Sequence, residues 1–222
     1  MDRRLVRRAV FVAVGGCWGL ASAAGARGFP GGVSAGDVTS GSVVLWARTD
    51  TAGGVTFEVA TDAGFSAIVS TMSVQVTDVR VPGKVEVGGL LAGATYYYRA
   101  TDASAAVASG RFRTAASGAR TGLRFGVSGD WRGELSPYPS VSNVAAKELD
   151  FFVALGDTIY ADVASPSVPV AQCVTIEQFR DKHLEGYGER FGLNVFAGLR
   201  SSTAWFANID DHEVTNDFAG GA

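Results

Sequence analysis

A chain of 222 residues with 47% hydrophobic content is long enough to bury one or two substantial cores. Its formal net charge of −3, with no basic cluster in the sequence beyond the first residues, argues against a nucleic-acid-binding patch. The 29 glycines, with many Val, Thr and Ser, favour strands and turns over long helices. These properties leave the oligomeric state open.

The first 26 residues have the pattern of a signal peptide that is removed from the mature protein. Four arginines precede an apolar stretch, residues 9–20, which is too short and too Gly-interrupted to predict a permanent membrane span. Small residues at 21–26 provide candidate cleavage sites. Arg3-Arg4 loosely fits a twin-arginine signal and residues 14–17 would make a poor lipoprotein box, so the export route is open. We expect export to the periplasm, the cell surface or the medium.

Residues 27–114 show short segments in which apolar and polar residues alternate, as in half-buried strands. The segments are separated by Gly- and Pro-containing turns and lie at 42–48, 55–60, 74–76, 84–87, 95–100 and 110–114. Strands at this spacing, with one Trp and a Tyr-rich late strand, predict a β-sandwich. Residues 90–99 resemble the late-strand signature of fibronectin type III modules. We expect this domain to pack against or gate a site, because it has no His or acidic constellation.

A small, polar segment at residues 115–120 is interpreted as a linker to a second domain at 121–222. In that domain the periodicity predicts strands at 123–128, 151–157 and 203–209, and helices at 142–149, from 175 onward and at 193–199. A strand, a crossover helix and a strand in this order form a β-α-β unit. We therefore expect parallel strands whose carboxyl ends lie side by side, where α/β proteins bind ligands.

Each predicted strand of the second domain ends in or is followed by an acidic residue. Asp130 follows the first strand, Asp157 ends the second, and the pair Asp211-His212 follows the third. Neighbouring carboxylates repel unless they share a proton or a cation, so a metal site is the more economical explanation and turn capping is the alternative. Oxygen ligands with one imidazole suit Fe, Mn, Ca, Mg or Zn, and a shared carboxylate commonly bridges a binuclear site.

Two further residues are predicted to take no part in the chemistry. His183 lies near the apolar face of its helix and is interpreted as a packing or surface histidine. Cys173 would be the only thiol of the mature chain, so it has no disulfide partner there and is interpreted as incidental.

The order of the acidic motifs resembles that of the calcineurin-like metallophosphatases. The segments that carry the resemblance are residues 129–130, 156–160 and 210–213. Tyr160 resembles the tyrosinate that binds ferric iron in purple acid phosphatases and PhoD-type alkaline phosphatases, and the Asp-Asp-His-Glu sequence of 210–213 is similar to the PhoD form. Residues 34–38 and 44–48 also resemble the domain that precedes the PhoD catalytic domain.

The resemblance implies a fold, a pair of metals and a role for each site residue. The second domain would be the incomplete half of a four-layer αββα sandwich. Asp157 would bridge the metals, Tyr160 would bind Fe(III), and Asp130 would occupy the ligand position of the first motif. Asp211 would bind the second metal, Ca(II) in this family. His212 would donate a hydrogen bond to phosphate or act as general acid to the leaving oxygen.

The sequence departs from the family in its first motif and at its carboxyl end. Many PhoD-type enzymes have a cysteine ligand where this chain has Asp130, and many calcineurin-like enzymes have a histidine where it has Arg132. Arg132 would either bind phosphate oxygens through two parallel hydrogen bonds from its guanidinium group or lie in solvent. The remaining family ligands would lie beyond Ala222, so the 222 residues are predicted to be an inactive, carboxyl-terminally truncated fragment.

The function that the resemblance implies is that of an exported alkaline phosphatase D-like hydrolase. Metal-activated hydroxide would attack a phosphomonoester or a phosphodiester, and that ester is the predicted partner. A purple-acid-phosphatase-like enzyme is the alternative within the same class. A non-catalytic secreted binding protein with a degenerate or truncated metallophosphatase half is the alternative outside it.

Overall fold

The computed structural model describes residues 28–118 and 122–220. The predicted signal peptide, including both candidate export motifs, lies outside these residues, and the predicted linker is described as far as residue 118. Across the described ranges, no helix combines the length and the apolar character needed to cross a bilayer.

Ten strands, arranged in two sheets, make up most of the regular structure in the described ranges. They are β1 Val33–Gly36, β2 Val43–Ala47, β3 Gly53–Ala60, β4 Ile68–Val76, β5 Gly83–Val87, β6 Thr95–Thr101, β7 Val107–Arg113, β8 Phe125–Ser128, β9 Phe151–Ala154 and β10 Ala204–Ala207. Burial alternates along β2, β5 and β6, as their sequences predict. Strand β1 was missed because its residues are small and its first three are all buried, which removes the alternation.

The larger sheet has six strands in the order β5-β2-β1-β10-β9-β8, and the smaller has four in the order β4-β3-β6-β7. Strands β8, β9 and β10 pair in parallel, as predicted. Strand β1 pairs antiparallel with β2 and parallel with β10, where Ala35 lies opposite Ala204. One hydrogen-bonded sheet therefore continues from the predicted first domain into the predicted second domain.

The main core lies between the two sheets. Its largest fully buried side chains include Phe29, Leu45, Phe57, Tyr98 and Phe112, and Ala204 of β10 packs into the same cluster. Each large apolar side chain buried here contributes about 1.5–3 kcal/mol relative to exposure. The sandwich core therefore also fixes β10, whose carboxyl end leads to Asp211-His212.

The described ranges contain two α-helices, α1 at Ile176–Tyr187 and α2 at Val195–Ser202, which confirms two of the three predicted helices. Helix α2 packs against β1, β7 and β10, and α1 contacts α2. Thr175 and Gln178 form a capping box at the start of α1, and Asn194 caps α2. The predicted helix at 142–149 is wrong. Its place is taken by short 3-10 turns at Pro139–Val141 and Val144–Lys147. An eight-residue helix is marginal on its own, and the left-handed φ of 51° at Glu148 ends the turn.

An aromatic cluster supports the end of the sheet where the acidic residues lie. Trp131 packs edge-on against Phe196 of α2 with ring centroids 4.9 Å apart, and Phe152 of β9 stacks on Trp205 of β10 at 5.0 Å. Because Trp131 directly follows Asp130, this packing anchors the loop that carries that carboxylate.

Candidate metal centre

The acidic residues that follow β8, β9 and β10 meet at one edge of the six-stranded sheet. The Trp131 N–H donates to the carbonyl of Asp157 at 2.7 Å, which joins the loops after β8 and β9. The Asn208 N–H donates to the carbonyl of Ala154 at 2.9 Å, which joins the ends of β9 and β10. Parallel pairing thus brings the three predicted motifs together, as expected from their positions in the sequence.

Asp157, Asp211 and His212 form the tightest group of metal-ligating side chains at this edge. One ligand atom from each lies within 4.8 Å of the others, and Asp157 is 7% exposed. The backbone N–H of His212 donates to Oδ1 of Asp157 at 3.2 Å. Burial raises the pKa of the Asp157 carboxyl, and this outweighs the opposing effect of the His212 N–H. A buried carboxylate that is costly to ionise gains most from a cation beside it.

Tyr160 connects Asp130 to this group. Its hydroxyl donates to Oδ1 of Asp130 at 2.9 Å and lies 3.3 Å from Oδ2 of Asp157. Its ring stacks on the His212 imidazole with centroids 4.1 Å apart. Burial and the two neighbouring carboxylates raise the pKa of the Tyr160 phenol, and a metal ion beside the oxygen would reverse that electrostatic balance. The structure therefore brings together Asp130, Asp157, Tyr160, Asp211 and His212.

The backbone is strained where two of the carboxylates are presented. Asp130 has φ 62° and Asp157 has φ 49°, both in the left-handed region that few non-glycine residues occupy. Each such conformation costs about 1–3 kcal/mol and persists only where surrounding contacts impose it.

Glu213 of the third motif has a structural role that the sequence pattern does not indicate. Its carboxylate accepts hydrogen bonds from the backbone N–H groups of Asp157 at 3.0 Å, Thr158 at 2.6 Å and Asp210 at 2.8 Å. Burial would raise the Glu213 pKa, but these donors outweigh it, and the pKa is lowered. The ionised carboxylate therefore joins the loop after β9 to the loop after β10.

Asp162 is a second residue that the sequence analysis missed. Nδ1 of His212 lies 2.8 Å and 2.9 Å from the two Asp162 oxygens, and the Asn216 N–H donates to Asp162 at 2.8 Å. Burial would lower the His212 pKa, but the hydrogen bond to Asp162 outweighs it, so the pKa is raised. With Nδ1 engaged, Nε2 is the ring nitrogen left for another ligand. In the sequence, this role is indicated only by the fact that residue 162 is an acid five positions after Asp157.

Arg132 lies at the border of the site. Its Nε donates to Glu134 at 2.8 Å, and its guanidinium carbon lies 5.4 Å from the centre of the Tyr160 ring. The side chain is 42% exposed. The guanidinium is therefore shared between Glu134 and the face of Tyr160, and its predicted contact with phosphate stays a prediction.

His183 and Cys173 lie outside the metal-ligating group. His183 packs beside Tyr187 of α1, with ring centroids 5.6 Å apart, and its Nδ1 is buried without a hydrogen-bond partner among the described residues. Burial lowers the pKa of His183 to about 4. Cys173 is a buried free thiol that packs with Ile159. The contact with Tyr187 agrees with the packing interpretation of His183, and the incidental role of Cys173 stays a prediction.

The His183 pKa predicts an acid-dependent loss of stability. Its value of about 4 in the folded chain lies below the ordinary 6.5, so the unfolded state binds the proton first as the pH falls. We expect the free energy of unfolding to drop by about 3 kcal/mol more between pH 7 and pH 4 in the natural chain than in His183→Leu. Urea unfolding of both proteins across this range measures the difference. Parallel acid profiles would contradict the assignment.

The fold and the site together define a class: a β-rich amino-terminal part joined to a partial α/β unit whose strand ends carry a cluster of metal-ligating side chains. The family model described as PhoD-like phosphatase, N-terminal domain, matches residues 16–116, and the PhoD-like phosphatase model matches residues 126–222. The chain belongs to the PhoD-like phosphatase family.

Two relatives support this assignment. The chain is 30% identical to alkaline phosphatase D of Bacillus subtilis (strain 168), in a match that covers 85% of this chain and 36% of that protein. A solved structure titled "Structure of PhoD" superimposes with a TM-score of 0.76 at 27% identity and covers 88% of this chain and 41% of the other. The chain thus spans less than half the length of each relative.

Proposed function

We propose that this chain contributes one side of the active site of an exported, metal-dependent phosphoric ester hydrolase. The observation that carries the proposal is the convergence of Asp157, Asp211 and His212 within 4.8 Å at the ends of parallel strands. The matching family and the named relatives are phosphatases, which supports a phosphate ester as the substrate. Export rests on the amino-terminal sequence pattern alone.

The side chains at the strand ends fit a pair of metal ions. Carboxylates, a phenol and one imidazole are ligands that Fe(III) and Ca(II) accept, and Mn, Mg or Zn suit a similar set. Asp157 would bridge the two ions, with Asp130 and Tyr160 on one of them and Asp211 on the other. The shared role is supported by the contacts of Asp157 with His212 and with Tyr160, which itself donates to Asp130. When bound, the ions would neutralise phosphate charge and activate the attacking water.

His212 would handle a proton or a hydrogen bond at the substrate. Asp162 fixes the ring through Nδ1, and the Tyr160 ring packs on its face at 4.1 Å, so the imidazole has little freedom to turn. A ring held in this way presents Nε2 in a constant direction. His212 would thus donate to a phosphate oxygen or protonate the leaving oxygen.

The proposal is tested with the complete gene product and two chromogenic esters, p-nitrophenyl phosphate and bis(p-nitrophenyl) phosphate. We expect hydrolysis that stops on chelation and returns when iron and calcium are added. Loss of the calcium requirement alone would favour the purple-acid-like alternative. No hydrolysis of either ester by the metal-loaded protein would favour the non-catalytic binding protein.

Tyr160→Phe tests the proposed iron ligand. If the phenolate binds Fe(III), the iron-loaded complete gene product absorbs visible light, and the variant loses that band because phenylalanine has no oxygen. Tyr97→Phe, in the sandwich strand β6, is the control and should keep the band. A visible spectrum unchanged by Tyr160→Phe would exclude Tyr160 as the ligand.

Asp162→Asn tests the orientation of His212. The amide cannot stabilise a protonated ring as the carboxylate does, so we expect kcat for p-nitrophenyl phosphate to fall about 10- to 100-fold, a typical effect of losing such a supporting carboxylate. KM and metal content should change little, because Asp162 is not a proposed ligand. A variant that loses metal in proportion to activity would show that Asp162 acts on the ions instead.

The exposed face of β8 supports the finer fold prediction. Phe125 is 53% exposed and Val127 is 47% exposed on this strand, beside a groove lined by Phe151, Val153 and Phe206. We propose that this apolar face packs against a second sheet, as in a four-layer αββα sandwich. The fibronectin type III likeness of the first sheet pair is likewise a proposal, which rests on its strand pattern.

A further inference from the structure

A cavity separate from the metal centre lies between the two helices and strands β1, β2 and β10. Its volume is about 500 Å³, within the range of small-molecule sites. None of the proposed metal ligands lines it. The cationic side chains that do are Arg48, Arg80, Lys84, Arg180 and Arg200. His183 also lines the cavity, but its pKa of about 4 leaves it neutral near pH 7.

Two of these arginines are buried without a carboxylate partner. Arg48 is 9% exposed and Arg200 is 5% exposed. Within the described ranges, Arg48 donates only to the carbonyl of Val79 at 3.2 Å, and Arg200 only to the carbonyl of Gly31 at 3.4 Å. Burial lowers the pKa of both guanidinium groups. Asp181 and Asp78 partly oppose this for the Arg48 pKa from beyond ion-pair distance, whereas no carboxylate of the described residues does so for Arg200. A guanidinium that is buried without an ion-pair partner is unfavourable, so two such groups lining one cavity need a reason.

The remaining charges around the cavity do not balance these two. Arg80 pairs with Asp181 at 3.7 Å and Arg180 with Asp78 at 3.4 Å, both at the exposed rim. Asp37 is the acidic residue among the lining side chains, which also include Lys84. The cavity therefore has a clear excess of positive charge.

Aromatic rings hold the most deeply buried guanidinium in place. The Arg200 guanidinium carbon lies 4.3 Å from the centre of the Trp46 ring and 4.6 Å from that of Tyr187. Contact with both rings fixes the plane of the Arg200 guanidinium group and keeps that group away from solvent. A pre-oriented, desolvated guanidinium is the arrangement that recognises a phosphate or similar oxyanion through paired hydrogen bonds.

We propose that this cavity binds a phosphate-class oxyanion at a site distinct from the metal centre. The proposal does not depend on the hydrolase function, because no residue of the cavity is assigned a part in that reaction. The same chemistry would serve free phosphate or the phosphate group of an ester. The aromatic side chains Trp46 and Trp205, which line the cavity, offer apolar contact to the organic part of an ester.

The test uses the purified chain after exhaustive chelation, so that any metal-dependent binding of phosphate is removed. Calorimetric titration with inorganic phosphate and with phenylphosphonate should each give saturable binding at one site. Tighter binding of phenylphosphonate would assign the site to an ester, and equal binding would assign it to free phosphate. Absence of saturable binding of both ligands by the folded chain would overturn the proposal.

Matched substitutions locate the site. Arg48→Met should weaken binding about 10- to 100-fold, the usual range for a lost charge-assisted hydrogen bond. Lys84→Met, at an exposed position, should weaken it several-fold without risk to folding. Arg124→Met, at the start of the distant strand β8, and Asp157→Asn, in the metal centre, should leave binding unchanged. Unchanged affinity in both Arg48→Met and Lys84→Met, or loss in Asp157→Asn, would contradict the assignment.

Discussion

Asp157→Asn should remove most bound metal from the complete gene product and lower its turnover about 1,000-fold, equivalent to about 4 kcal/mol of transition-state stabilisation. The side chain is 7% exposed and lies in contact with Tyr160 and with the His212 N–H, between the second and third motifs. The amide has nearly the same shape but no charge. Asparagine also tolerates the left-handed φ of 49° at this position, so the fold should be preserved.

Metal analysis of the purified variant and its rate on p-nitrophenyl phosphate measure the two effects. Asp150→Asn is the control, because it makes the same chemical change at the opposite end of β9, where the carboxylate pairs with Arg113 at 3.1 Å. The control should keep its metal and its rate. Full metal content in Asp157→Asn would remove Asp157 from the ligand set, whatever the rate.

Gly156→Ala should destabilise the folded chain by about 4 kcal/mol, the sum of a strained backbone and an enforced collision. Gly156 has φ 111°, which side-chain-bearing residues rarely adopt. A Cβ there would lie 2.5 Å from Cβ and 2.6 Å from the backbone N of Asp210. The end of β9 and the loop that carries Asp211 would have to separate, which would also weaken metal binding.

Gly89→Ala separates the two contributions. Gly89 also has a positive φ, 74°, but a Cβ there would meet nothing within 4 Å. It should therefore show the backbone cost alone, about 1 kcal/mol. Urea unfolding of both variants gives the comparison. If Gly156→Ala were no more destabilised than Gly89→Ala, the loops that carry Asp157 and Asp211 would not approach as closely as the structure shows.

Several parts of the fold and site could be predicted because their signals are local. Alternating apolar and polar residues predicted β2, β5 and β6, and the apolar run before Gly156 predicted β9. An acid directly after each parallel strand placed Asp130, Asp157 and Asp211 at one edge, since parallel strands share a direction. Periodicity therefore located both the sheet edge and the candidate ligands there.

Other parts depended on contacts between distant segments, which no local pattern contains. The bond between Asp162 and His212 joins residues 50 positions apart, and Glu213 reaches Asp157 across 56 positions. The basic cavity draws Arg48, Arg180 and Arg200 from separate elements, although the sequence beyond its first residues shows no basic cluster. The helix predicted at 142–149 was wrong because helical spacing in a short segment did not outweigh local turn formation.

The pairing of β1 with β10 also constrains when this protein is able to fold. The two strands lie roughly 170 residues apart, so at 5–20 residues per second a ribosome needs roughly 10–30 s to deliver the second after the first. During that interval β1 has one edge without its partner, and the core lacks Ala204. Unpaired edges of this kind invite association with other chains. The nascent polypeptide therefore has to be shielded until its late strand emerges, and contacts of such long range favour slow closure.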